Sequence, residues 1–157
     1  GVSWRGGTLR SRAERRSLAL ADLEPILRDP DFNFVSLQYG PGVADEIDRF
    51  TAESKVRLHH WQEAIDDYDE TAALASALDG IVSVCTAIVH LGGALGRPVW
   101  VLTPRVPEWR YGASGDRMPW YWSVRLLRQS ASGAWGPVVD AVRGQVLTTF
   151  RNRGDGA

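Results

Sequence analysis

The chain has 157 residues, 44% of them hydrophobic and 24% charged, with a net charge of −1. That length suits one domain with a sizeable core, and the near-zero charge offers no global field for nucleic acid or a membrane surface. A single cysteine excludes an internal disulfide and fits a reducing, cytoplasmic compartment. No apolar run approaches the roughly 20 residues of a membrane span, and no signal peptide is visible.

The chain opens without a Met on a strand-like segment, residues 2–4, so we read it as a piece of a longer protein. A glycine turn at Gly6-Gly7 and an Arg-rich loop over 8–16 follow. Asp22 is placed to cap a short helix reaching Leu27, with Pro25 tolerated in its first turn. Residues 34–37 read as a second strand, and Gly40-Pro41-Gly42 breaks the chain. An amphipathic helix is predicted over 43–53 and a third strand over 56–59. Asp69 is the expected cap of a helix over 70–78.

The most informative stretch is 79–104. An apolar strand over 81–84 runs into the polar hinge Cys85-Thr86. A small-residue helix over 87–95 follows, ended by Gly96 and Pro98, and then a strand over 99–102. A long aromatic loop is predicted over 103–123, a last strand over 124–127, a closing helix over 135–150, and a disordered tail from Arg151. Alternating strands and helices predict an α/β domain, a mainly parallel sheet covered on both faces. Its extent is 1–150, with 151–157 as tail.

Ligands of open α/β sheets bind beyond the carboxyl ends of the strands, and a helix starting at Thr86 aims N–H groups and a positive dipole end there. Thr86 and Ala87 are the first candidates for a diphosphate contact, with His90 one turn on. Arg5 and Gly6, at the end of the first strand, are the next. Gln38 and Tyr39 end the second strand, and Tyr68 and Asp69 precede a helix; these four are the candidates for base and ribose contacts. Gly92 and Gly93 read as close helix–sheet packing, since helical glycine otherwise costs stability. Arg10, Arg12, Arg15 and Arg16 form a local positive cluster, without the interleaved aromatics of a nucleic-acid patch. His59-His60 point to opposite faces of a strand, so no metal site is expected.

The series 79–86 and 90–100, with 35–38, 69–74, 106–110, 119–121 and 125–129, resembles the C-terminal half of heptosyltransferase-like glycosyltransferases, above all the domain at the C-terminus of bacterial tetratricopeptide-repeat proteins. The likeness runs from Val2 to about residue 148. It implies a three-layer Rossmann-like domain, one half of a GT-B architecture, that binds a nucleotide-sugar donor. A missing N-terminal half would bring the acceptor, with tetratricopeptide repeats as further partners. Neither a metal nor another cofactor is required, and the isolated chain is expected to transfer no sugar. The family has Asp-Thr where this chain has Cys85-Thr86. That departure supports the alternative expectation: a non-catalytic, degenerate donor domain serving as an interaction module of a repeat-containing scaffold.

Overall fold

Strand β1 (Val2–Ser3) pairs in parallel with β2 (Ile81–Val84), and β2 in turn with β3 (Val99–Thr103). The computed structural model describes residues 1–6 and 13–154. A two-residue β4 (Arg117–Met118) lies at the edge, antiparallel to β5 (Tyr121–Arg128), which is itself parallel to β3. The five-stranded order is β1-β2-β3-β5-β4. The segments predicted as strands over 34–37 and 56–59 join only through single parallel bridges, Val2 to Ser36 and Val35 to His59. Counting those bridges, the parallel strands run in space as third, second, first, fourth, fifth, sixth, the doubly wound Rossmann order.

Burial on both faces explains why β2 and β3 are apolar runs rather than alternating ones. Val82, Val84, Trp100 and Leu102 face one core layer with α1 (Glu24–Leu27), α2 (Val43–Ser54) and α6 (Gly136–Gly154). Ile81, Cys85, Val99 and Val101 face the other, under α4 (Tyr68–Ala77) and α5 (Ala87–Ala94). Each fully buried aliphatic side chain contributes about 1.5–3 kcal/mol by leaving water. The result is the expected three-layer α/β fold.

Glycines set the spacing of α5. A Cβ on Gly92 would meet Ile81 Cδ1 and Val99 Cγ2 at 2.8 Å, and one on Gly93 would meet Tyr121 Cγ at 2.5 Å. The helix therefore lies against the sheet as the double glycine suggested. It ends at Gly96, whose φ of +67° favours glycine, with the Arg97 N–H donating back to the Gly92 carbonyl.

Several expected elements differ. The helix predicted over 70–78 starts at Tyr68, after a short α3 (Gln62–Asp66), and its cap is Asp67: that carboxylate accepts from the Asp69 and Glu70 amides. Asp69 therefore lies in the first turn. Asp22 accepts from the Ala19 amide and belongs to a 3-10 turn (Leu20–Leu23) before α1. The loop predicted over 103–123 contains a 3-10 turn (Trp109–Tyr111) and β4. Helix α6 continues through Gly154, past the expected end at 150, and Arg151 reaches Asp29 and Asp31. Gly7, Arg10, Arg12 and residues 155–157 lie outside the described residues.

Candidate site at the carboxyl edge of the sheet

The strand order reverses between β1 and β2, so their carboxyl ends diverge around a crevice. Gly6 sits there, where a Cβ would come within 2.3 Å of Thr86 Cγ2. Only glycine allows this approach of the strand end to the start of α5. Thr86 caps α5, its Oγ1 accepting from the Ile88 amide at 3.3 Å and lying 3.1 Å from Ser83 Oγ. The Val89 amide turns back to the Thr86 carbonyl.

Two clefts open on this edge and share Tyr39 as a wall. One, of about 360 Å³, is lined by Arg5, Gly6, Gln38, Tyr39 and residues of the 13–17 segment. The other, of about 420 Å³, is lined by Tyr39, Tyr68, Ile65, Ala87 and Ile88. Six of the nine sequence-predicted residues thus line the clefts. Thr86, which caps α5, lines neither, though its neighbour Ala87 lines the second. Asp69 and His90 line neither.

Gln38 does more for the fold than its sequence position suggests. Its Oε1 accepts from Ser3 Oγ, from the Trp4 amide at 2.9 Å and from the Arg5 amide at 2.8 Å. Its Nε2 donates to the Arg5 and Tyr39 carbonyls. The amide is saturated by the ends of two strands, so Gln38 fixes the cleft wall. Arg5 is held by Glu46 of α2 at 2.7 Å, and Glu46 also accepts from Trp4 Nε1. Its guanidinium keeps exposed surface on the cleft.

The imidazole of His90 lies between Tyr111 and Tyr121, with ring centroids about 6 Å away. Burial there lowers its pKa, helped by Arg110 and opposed by Glu108. It is therefore neutral at pH 7 and brings no charge to a phosphate. Cys85 is 1% exposed and packs in the core beneath α5. Burial pushes its thiol up to about 12, and the Tyr111 hydroxyl hydrogen-bonds it. Such a thiol is no nucleophile.

Residues outside the nine first candidates complete the edge. Arg16 Nη1 reaches the Cys85 carbonyl at 3.4 Å, at the hinge before α5, and pairs with Glu108. Glu108 also holds Arg110 at 2.7 Å. Arg128 donates to the carbonyls of Gly112 and Gly115 and so pins the loop that carries Tyr111. The advance signal for Glu108 was its place in the 106–110 stretch that carries the resemblance. His59 stacks on Trp61 and His60 contacts Gln62. Among the described residues no three His, Cys, Asp or Glu side chains are grouped to hold a metal.

Fold and crevice together define a doubly wound α/β protein with a ligand-sized opening at its topological switch point. The chain is similar to protein FlbA of Caulobacter vibrioides, 33% identical over 156 residues, or 97% of this chain. It spans 25% of the length of that relative. No protein-family model matches the chain, and no solved structure matches it significantly. No helix among the described residues is long and apolar enough to cross a membrane.

Proposed function

We propose that this chain is the donor-binding half of a glycosyltransferase and takes a nucleotide-diphospho-sugar at the carboxyl edge of the sheet. The observation that carries this reading is the meeting of Gly6 and Thr86 at the switch point, beside two clefts sized for parts of one ligand. The diphosphate lies at the Ala87 amide, within reach of the positive ends of α5 and Arg5. The nucleoside occupies the cleft walled by Tyr39 and Tyr68, whose rings are 47% and 60% exposed and free to stack. Catalysis in the longer protein is then positioning plus stabilisation of the departing diphosphate. The acceptor and the catalytic base come from another half of that protein.

A second reading has its own support. Arg5 is paired with Glu46, Arg16 with Glu108, and the Gln38 amide is saturated within the chain. An edge whose polar groups satisfy one another suits a degenerate donor domain that serves as an interaction module of a repeat-containing scaffold. Ligand-observed NMR with uridine, adenosine, guanosine and thymidine diphosphates separates the two. At least one is expected to bind at millimolar concentration. Silence from all four contradicts donor binding and leaves the interaction module.

A further inference from the structure

A further opening lies at the other end of the sheet. It has a volume of about 510 Å³ and sits between α6 and the first halves of β3 and β5. Its walls include Trp100, Trp122, Ser123, Arg117, Arg125 and Gly144. Nothing in the proposed donor site uses these residues.

Arg117 and Arg125 stand directly opposite each other on β4 and β5. Like charges in that position repel, and a folded sheet keeps such a pair at a cost unless an anion bridges it. Among the described residues no carboxylate pairs with either guanidinium. Arg125 Nη1 and Ser123 Oγ are shielded from solvent and have no hydrogen-bond partner. Buried polar atoms of this kind are rare in folded proteins and mark places where a partner is due. Both belong to residues that line the cavity.

The rest of the lining combines apolar Trp100, Trp122, Pro98 and Ala141 with the polar Gln145, Thr148 and Thr149 of α6. Trp122 is 81% exposed, and Trp100 forms part of the floor. On the helix side, Gly144 leaves room: a Cβ there would meet nothing within 4 Å. The volume falls within the range of small-ligand pockets, about 300–1,000 Å³.

We infer that this cavity binds a small organic oxyanion, a phosphate or carboxylate carried on a flat apolar body. The guanidinium forks of Arg117 and Arg125 take the oxyanion with Ser123 Oγ, and the body lies along Trp122 and over Gly144. Two paired arginines and a shielded, unpartnered hydroxyl in one cavity favour a small anion over a polypeptide.

The test is an amide and indole NMR titration of the 157-residue chain with phenyl phosphate and benzoate. Benzyl alcohol serves as the neutral control, and a hexaglutamate peptide as the macromolecular one. Saturable shifts of the Gly144 amide and the Trp122 indole are expected with the anions and not with the alcohol. Arg125→Gln should weaken binding at least about tenfold, the loss that follows from one charge-assisted contact. Gly144→Leu, which projects into open space, should block the site while leaving the melting temperature unchanged or higher. No shift with either anion overturns the inference. So do shifts that persist in both variants, and binding of the peptide alone. A nucleotide titration that perturbs only the carboxyl edge leaves this site independent of the proposed donor site.

Discussion

The Cys85 thiol packs in the same core cluster as Ile81, Val89 and Val101, which makes its position one of packing. Cys85→Asp would bury an unpaired carboxylate, which costs about 3–5 kcal/mol when no cation compensates. A large fall in melting temperature is expected; an unchanged melt would mean that the side chain can reach the crevice. The same burial fixes a pH dependence. The folded thiol titrates at about 12, while an unfolded thiol titrates near about 8.5. The folded state therefore holds the proton more tightly, and this contribution to stability is full below the unfolded value. It is lost as pH rises from there through the folded one. Ultraviolet thiolate absorbance should be absent near about pH 10, where an ordinary thiol is ionised. Gln38→Leu removes the acceptor of the Trp4 and Arg5 amides. At about 1–3 kcal/mol for each orphaned buried donor, several kcal/mol of stability should disappear in a denaturant melt. Glu108→Gln removes one partner of Arg16 beside the Cys85 carbonyl. Under the donor reading it strengthens diphosphate binding, and weakened binding in calorimetry would place the phosphate elsewhere.

The unit from Ile81 to Thr103 was legible almost residue by residue. Two strands buried on both faces, a threonine cap and a terminal glycine all point the same way locally. The outer elements were less so. The 34–37 segment joins β1 through one bridge, and 56–59 joins only the 34–37 segment through another, so the apolar pattern overstated their pairing. Asp66, Asp67 and Asp69 are all capable caps, and only the turn after α3 selects Asp67. Strand β4 has two residues and no alternation to read. The last turn of α6 is anchored by Arg151 on Asp29 and Asp31, partners more than a hundred residues away. Helix glycines give a prediction with two signs. Gly144→Ala should stabilise by up to about 1 kcal/mol, because helical glycine is disfavoured and the space is open. Gly93→Ala has the same propensity gain but drives a Cβ into Tyr121 at 2.5 Å. Overpacking of about 1–3 kcal/mol should win there. Paired urea melts decide whether the close approach of α5 to β5 is real: stabilisation by both substitutions would deny it.

At the scale of the whole molecule, the donor reading rests on topology rather than on any one side chain. The doubly wound order places the ends of β1 and β2, Tyr39 and the start of α5 around one edge, the grouping that a parallel sheet predicts. What pattern could not reveal is how the polar groups there are spent. The bonds of Gln38 to β1 and of Arg16 to Glu108 join residues far apart in sequence. Under the donor reading, in which acceptor and base come from another half, this chain alone should convert no nucleotide sugar into glycosylated product. Turnover by the isolated chain would overturn the division of labour between halves. The most direct test of the central claim is an amide chemical-shift map of the chain with the nucleoside diphosphate that binds best. Shifts concentrated at Gly6, Tyr39, Tyr68, Ala87 and Ile88 are predicted. Shifts absent from Ala87 and its neighbours, or confined to another face of the sheet, would contradict a donor site at the carboxyl edge.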